Sequence, residues 1–242
     1  MAETGHAKNV ANLESMISFC TGYSDDYKPS NTIIQLAQLN VALALGQTVI
    51  DGVTTGLIGW KGNVNFRENQ YLGVGKLATR VSAAFTACGA TDNAIEDMKG
   101  FVRKIAGARK KKLVVDDPNT AINEAAHNSV SQRSYTQSAE HFDAIIEACM
   151  NEPLYAPNEP DLTIAAMQAK SAAMKAANTA VIGSVTTLSN NRLDRNQVIY
   201  TDPTSIFELA KLVKFYVKSI YGQGSPQFDQ VSGLKFTKPQ DL

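Results

Sequence analysis

The sequence predicts an all-α protein, an internally duplicated helical bundle of two four-helix units related by a pseudo-twofold. Three observations predict it. Apolar residues recur at steps of three and four along most of the chain, and no stretch carries the period-two alternation of a strand. The run Val49-Ile50-Asp51-Gly52-Val53-Thr54-Thr55 returns 132 positions later as Val181-Ile182-Gly183-Ser184-Val185-Thr186-Thr187. Further anchors follow in the same order. Cys20 answers Cys149, Tyr27-Lys28-Pro29 answers Tyr155-Ala156-Pro157, Arg67 answers Arg195, and Leu77-Ala78 answers Leu209-Ala210. A period near 130 residues is far longer than a solenoid repeat and implies a doubled domain.

The first helix is expected from about Lys8 to Thr21, with Val10, Leu13, Met16, Ile17 and Cys20 on one face and Gly22 as its stop. Ser30 is placed to cap a second helix. Its seam reads Ile33, Leu36, Asn40, Leu43, Gln47, Ile50, Thr54 and Leu57, with polar members that would set register. Gly56, Gly59 and Gly62 are expected to end or bend it. A third helix is expected from about Phe66 to Cys88. Thr91-Asp92 caps a fourth, which carries Ile95, Met98, Phe101, Val102 and Ile105.

The second copy opens with a helix from about Thr136 to Asn151. Asn158 is the expected cap of its long helix, whose seam is Ile164, Met167, Ser171, Met174, Asn178, Val181, Val185 and Leu188. Alanines crowd the flanks, which permits close helix packing. Asp202-Pro203 is expected to start the next helix, with Ile206, Leu209, Ala210, Val213, Tyr216, Val217 and Ile220 on one face and Lys211, Lys214 and Lys218 on the other. Ser225-Pro226 starts a short last helix. The division expected is a first repeat over 1–106, a basic and polar connector over 107–140, and a second repeat over 141–242.

In the second half, Ser131-Gln132 with Tyr135, Pro157-Asn158-Glu159, Leu188-Ser189-Asn190 with Arg192 and Arg195-Asn196, and Val231-Ser232-Gly233-Leu234-Lys235-Phe236 resemble a family of uncharacterised bacterial all-helical proteins. The resemblance covers about residues 128–236. It implies a bacterial source and carries no catalytic residue with it.

Composition narrows the function. Lys plus Arg is 23 and Asp plus Glu is 23, so no global attraction to nucleic acid or anionic membrane is expected. No basic and apolar leader precedes the first helix, and no run of about 18 uninterrupted apolar residues occurs. A cytoplasmic protein without a membrane span is expected. Cys20, Cys88 and Cys149 are odd in number and show no CxxC spacing, so reduced, packed thiols are expected. His6, His127 and His141 have no partners at ligand spacing, so no metal and no other cofactor is expected. Gly73-Val74-Gly75-Lys76 lacks the Ser or Thr and the earlier Gly of a phosphate loop and sits in a helical pattern. No catalytic set emerges, and the chain reads as a non-enzyme.

Two clusters remain. Arg103, Lys104, Arg109, Lys110, Lys111 and Lys112 form a basic run that would suit a polyanion. Its plain reading is a solvated linker, or a run paired with Asp116, Asp117 and acids of the other half. Arg192, Asp194 and Arg195 form a charged knot after the second seam, read as an ion pair at a helix junction, with an anion site as the alternative. The function expected is a structural or protein-interaction protein that self-assembles or docks a protein partner. The alternative is a nucleic-acid-binding module using the run 103–112.

Overall fold

The computed structural model describes residues 4–107 and 134–240. It bears out the all-α class: among the described residues there is no strand. Among these residues eight α-helices follow in order: α1 (Thr4–Gly22), α2 (Leu36–Tyr71), α3 (Val74–Ala87), α4 (Asp92–Ala106), α5 (Tyr135–Met150), α6 (Ile164–Asn196), α7 (Ile206–Tyr221) and α8 (Pro226–Ser232). Short 3-10 turns precede α2 and α6, and one π turn, Gln197–Thr201, follows α6.

The chain divides into two compact units, and neither is a sequence half. One comprises Met1–Lys61 and Gly183–Leu242, the other Gly62–Ile182. The division expected from the repeat follows chain order, whereas compactness follows burial. The core of the first unit mixes Val10, Leu13 and Met16 of α1 with Leu209, Val213 and Val217 of α7. The core of the second mixes Ala78, Val81 and Phe85 of α3 with Phe142, Ile145 and Cys149 of α5, together with Met167 and Met174 of α6. The connector expected over 107–140 lies mostly outside the described residues; its described end, from Ser134, caps and begins α5.

Local signals account for most helix ends. The Ser134 hydroxyl accepts from the Gln137 amide while the Gln137 side chain accepts from the Ser134 amide, a reciprocal capping box. Thr91 and Ser225 cap α4 and α8 as expected, accepting from Ala94 N and Phe228 N. Three expected caps are displaced. Ahead of α2, Asn31, not Ser30, accepts from the Ile33 amide, and it caps a 3-10 turn that precedes Leu36. Ser205, not Asp202, caps α7, because the Asp202 carboxylate is committed to the Thr204 amide at 2.7 Å. Ahead of α6, the Thr163 hydroxyl accepts from the Ala166 amide, several residues past Asn158.

The largest correction concerns α2. It does not stop or break at Gly56, Gly59 or Gly62 but runs 36 residues, about 54 Å at 1.5 Å per residue. The break comes at Gly73, whose φ of +81° places it in the left-handed region that a side chain disfavours. The buried positions of α2 are Leu39, Gly46 and Val53, while Asn40, Gln47 and Thr54 are exposed. Glycines make this face. A Cβ at Gly46 would lie 2.6 Å from Ile206 Cδ1, and one at Gly56 would lie 2.9 Å from Asn191 Nδ2 and 3.4 Å from Leu188 Cα. Close approach lets Asn191 donate to Gly52 O at 2.7 Å. The α6 seam fits better: Met167, Ser171, Met174, Val181 and Leu188 are buried, but Val185 is 48% exposed.

Candidate functional site

Each unit contains two polar constellations of the same kind. The first is a thiol–phenol corner. In the first unit Cys20 lies beside Tyr27, whose hydroxyl donates to Ile34 O at 2.7 Å. In the second, Cys149 lies beside Tyr155, whose hydroxyl donates to Leu162 O at 2.9 Å. Burial pushes both thiols up to about 12, so they are protonated at neutral pH and are poor nucleophiles. Burial likewise raises both phenols, with the neighbouring thiol adding to the shift. These corners fasten a loop to a helix and offer no reactive group.

The second constellation lies at the end of a long helix. In the first unit His6 Nδ1 is 2.8 Å from the Tyr200 hydroxyl, and Asn9 Nδ2 donates to the same oxygen at 3.2 Å. Asn9 also clamps the C-terminal tail, donating to Thr237 O at 2.8 Å and accepting from Thr237 N at 3.1 Å. His6 and Asn9 are buried. In the second unit the Tyr71 hydroxyl donates to Tyr135 O at 2.7 Å and accepts from Asn178 Nδ2 at 2.8 Å. The Arg67 guanidinium stands 3.9 Å from the centre of the Tyr135 ring. Asp143 pairs with Ser171 and Lys175. In both units an aromatic ring at a helix start meets a tyrosine edge-on, with centroids 5.6 Å apart for His6–Tyr200 and 4.7 Å for Tyr71–Tyr135.

The charged knot is only partly a junction group. Arg195 is 7% exposed and donates from Nε and Nη2 to Asn196 Oδ1 at 3.2 and 2.8 Å. Arg192 and Asp194 are exposed. Of the basic run, Arg103 and Lys104 are exposed in the last turn of α4, where cations meet the carbonyl end of the helix. Arg109, Lys110, Lys111 and Lys112 lie outside the described residues, as does His127. His141 lies on α5; burial lowers its pKa and the nearby Lys104 lowers it further. Among the described residues, no group of three or more His, Cys, Asp or Glu side chains is placed to hold a metal ion.

Two surface features were not read from the sequence. Along α7 a cavity of about 350 Å³ is lined by Phe207, Lys211, Lys214, Phe215, Phe228 and Phe236 among others. Its signal was present in the spacing of Phe207, Lys211, Lys214 and Lys218, four, three and four apart, but a lysine face on a helix ordinarily reads as plain solvation. The other feature is apolar exposure. On α6, Val185 and Leu193 are 48% and 63% exposed and fall on one face by helical spacing; on α2, Val41, Leu45 and Ile58 are more than half exposed. Within Leu36–Ala87 one helix is long and apolar enough to cross a membrane by length and composition, and little of that apolar part is buried. A core helix of a soluble protein passes the same test of length and composition.

No protein-family model, curated protein or solved structure matches this chain.

Proposed function

We propose that this chain is a non-enzymatic structural protein that self-associates, built from a duplicated helical unit whose two copies exchange parts. Contacts repeated at a nearly constant offset support the duplication. Cys20 and Cys149, His6 and Tyr135, and Tyr200 and Tyr71 occupy matching places, each pair 129 positions apart. The make-up of each unit supports the exchange. The first copy's His6 meets the second copy's Tyr200, and the second copy's Tyr135 meets the first copy's Tyr71. This is domain swapping within one chain.

The observation that carries self-association is the exposed apolar face of α6, formed by Val185 and Leu193. An exposed apolar stripe on a helix is favoured by a partner that covers it. A second copy suits this face because the chain has a net charge of zero, so two copies do not repel one another over distance. Exposed Asp51, within the apolar part of α2, favours a protein partner over a bilayer core.

Light scattering during gel filtration tests this at low and at moderate salt. The expected mass is a multiple of 26.1 kDa that survives salt, because an apolar contact is not screened. Val185→Lys with Leu193→Lys should shift that species to monomer. A wild-type monomer at both salts overturns the proposal. A large species only at low salt, with excess absorbance at 260 nm, would transfer the reading to the basic run.

A further inference from the structure

We infer that the cavity along α7 is a binding site for a small amphipathic anion: a carboxylate, sulfonate or phosphate on an aromatic or alkyl body. Its volume, about 350 Å³, falls at the lower end of the range of small-molecule sites. The walls are phenylalanines from three segments: Phe207 and Phe215 on α7, Phe228 on α8 and Phe236 on the tail. Phe215 is 62% exposed, which leaves its ring open to a ligand in the cavity.

The floor and rim are cationic. Lys211, Lys214 and Lys218 line the cavity, and the acid against them is Glu208, 3.5 Å from Lys211. Among the described residues Lys214 and Lys218 have no carboxylate partner. Lys214 donates to Leu234 O at 2.5 Å and Ser232 O at 3.4 Å, which uses two of the three N–H groups of an ammonium. Its Nζ lies 5.5 Å from the Phe236 ring centre, and Lys218 Nζ lies 5.8 Å from that of Phe228. Burial lowers the pKa of Lys214, the cost of holding a cation half-desolvated without a counter-charge. An anion whose apolar body rests on the rings would supply that charge where a free water-borne ion would not fill the cavity.

The other helix of this type sharpens the inference. At the 132-residue offset that relates Ala78 to Ala210 and Val81 to Val213, all buried, Phe207, Lys211, Lys214, Phe215 and Lys218 correspond to Gly75, Thr79, Ser82, Ala83 and Thr86. The core-facing positions stay apolar in both, so packing does not require the lysines and phenylalanines. They belong to one face of α7.

Calorimetric titration of the full chain with 2-naphthoate, and with neutral 2-naphthamide, tests this. Naphthoate should bind one to one, and naphthamide about tenfold more weakly, for want of a charge-assisted contact. Lys218→Met and Phe215→Ser alter exposed side chains, so the fold persists, and each should weaken naphthoate several-fold. Lys218→Met should leave naphthamide unchanged. Equal affinity for the two compounds, no effect of either substitution, or no heat at millimolar naphthoate overturns the inference. Sedimentation with phosphatidylglycerol vesicles, but not phosphatidylcholine ones, in the absence of naphthoate binding would also overturn it and point to a membrane surface.

Discussion

His6 Nδ1 lies 2.8 Å from the hydroxyl of Tyr200, a residue 194 positions further along the chain. Both residues are buried, and Asn9 shares the same oxygen. A buried polar group that loses its partner forfeits its solvation without return. Tyr200→Phe should therefore destabilise the protein by about 1–3 kcal/mol, read as a lower midpoint of urea unfolding. Tyr71→Phe removes the matching hydroxyl, bonded to Tyr135 O and Asn178, and should act in the same direction. An unchanged midpoint in both variants would mean that these junctions contribute nothing to the fold.

The same relationship predicts how the chain behaves when cut. The core around Leu13 and Met16 is completed by Val213 and Val217, and that around Phe85 by Phe142 and Ile145. Fragments 1–106 and 134–242, made separately, should each lack a cooperative thermal transition by circular dichroism, since each loses about half of two cores. Mixed, they should recover it. A cooperative, monomeric fold in either fragment alone would show that exchange between the halves is dispensable.

Glycine substitutions separate packing from propensity along α2. Gly59 has nothing within 4 Å of an added Cβ, so Gly59→Ala should stabilise by about 0.5–1 kcal/mol through helix propensity. Gly56 gains the same propensity, but its Cβ would press on Asn191 and the Leu188 backbone and strain the Asn191 bond to Gly52. Overpacking of about 1–3 kcal/mol outweighs the gain, so Gly56→Ala should lower the unfolding midpoint. Equal and opposite midpoints to these would remove the account of α2 packing.

That contrast also explains what was legible in the sequence. The apolar faces of α1 and α7 and the Met167, Ser171 and Met174 seam of α6 were readable because their buried positions carry side chains of recognisable character. The α2 face was not, because Gly46 is buried and Gly56 is closely packed for want of a side chain, and hydrophobic spacing counts glycines as breakers. Pairing of His6 with Tyr200 was not readable either: local periodicity carries no information about which distant face completes a core. At the knot, the sequence put Arg192, Asp194 and Arg195 together, but a helix turns by about 100° per residue, and only Arg195 faces inward.

Alkaline stability offers a test of the two thiol corners. Cys20 and Cys149 are 0% and 1% exposed, and burial pushes both thiols up to about 12, from an ordinary value of 9.0. The folded state therefore holds two protons that the unfolded chain releases first. Unfolded protein binds fewer protons in this window, so stability falls as pH rises. The contribution is intact below about pH 9 and is lost progressively between pH 9 and 12, at roughly 1.4 kcal/mol per pH unit for each thiol. Urea unfolding at pH 8, 9 and 10 should show this decline. The Cys20→Ala, Cys149→Ala double variant starts from lower stability, because two packed sulfurs are gone, yet its decline should be shallower by about two protons' worth. Tyr27 and Tyr155, also raised by burial, keep part of the slope in the variant at the upper end. An identical slope in wild type and double variant would mean that the thiols are solvated enough to titrate normally, which the corners as built do not allow.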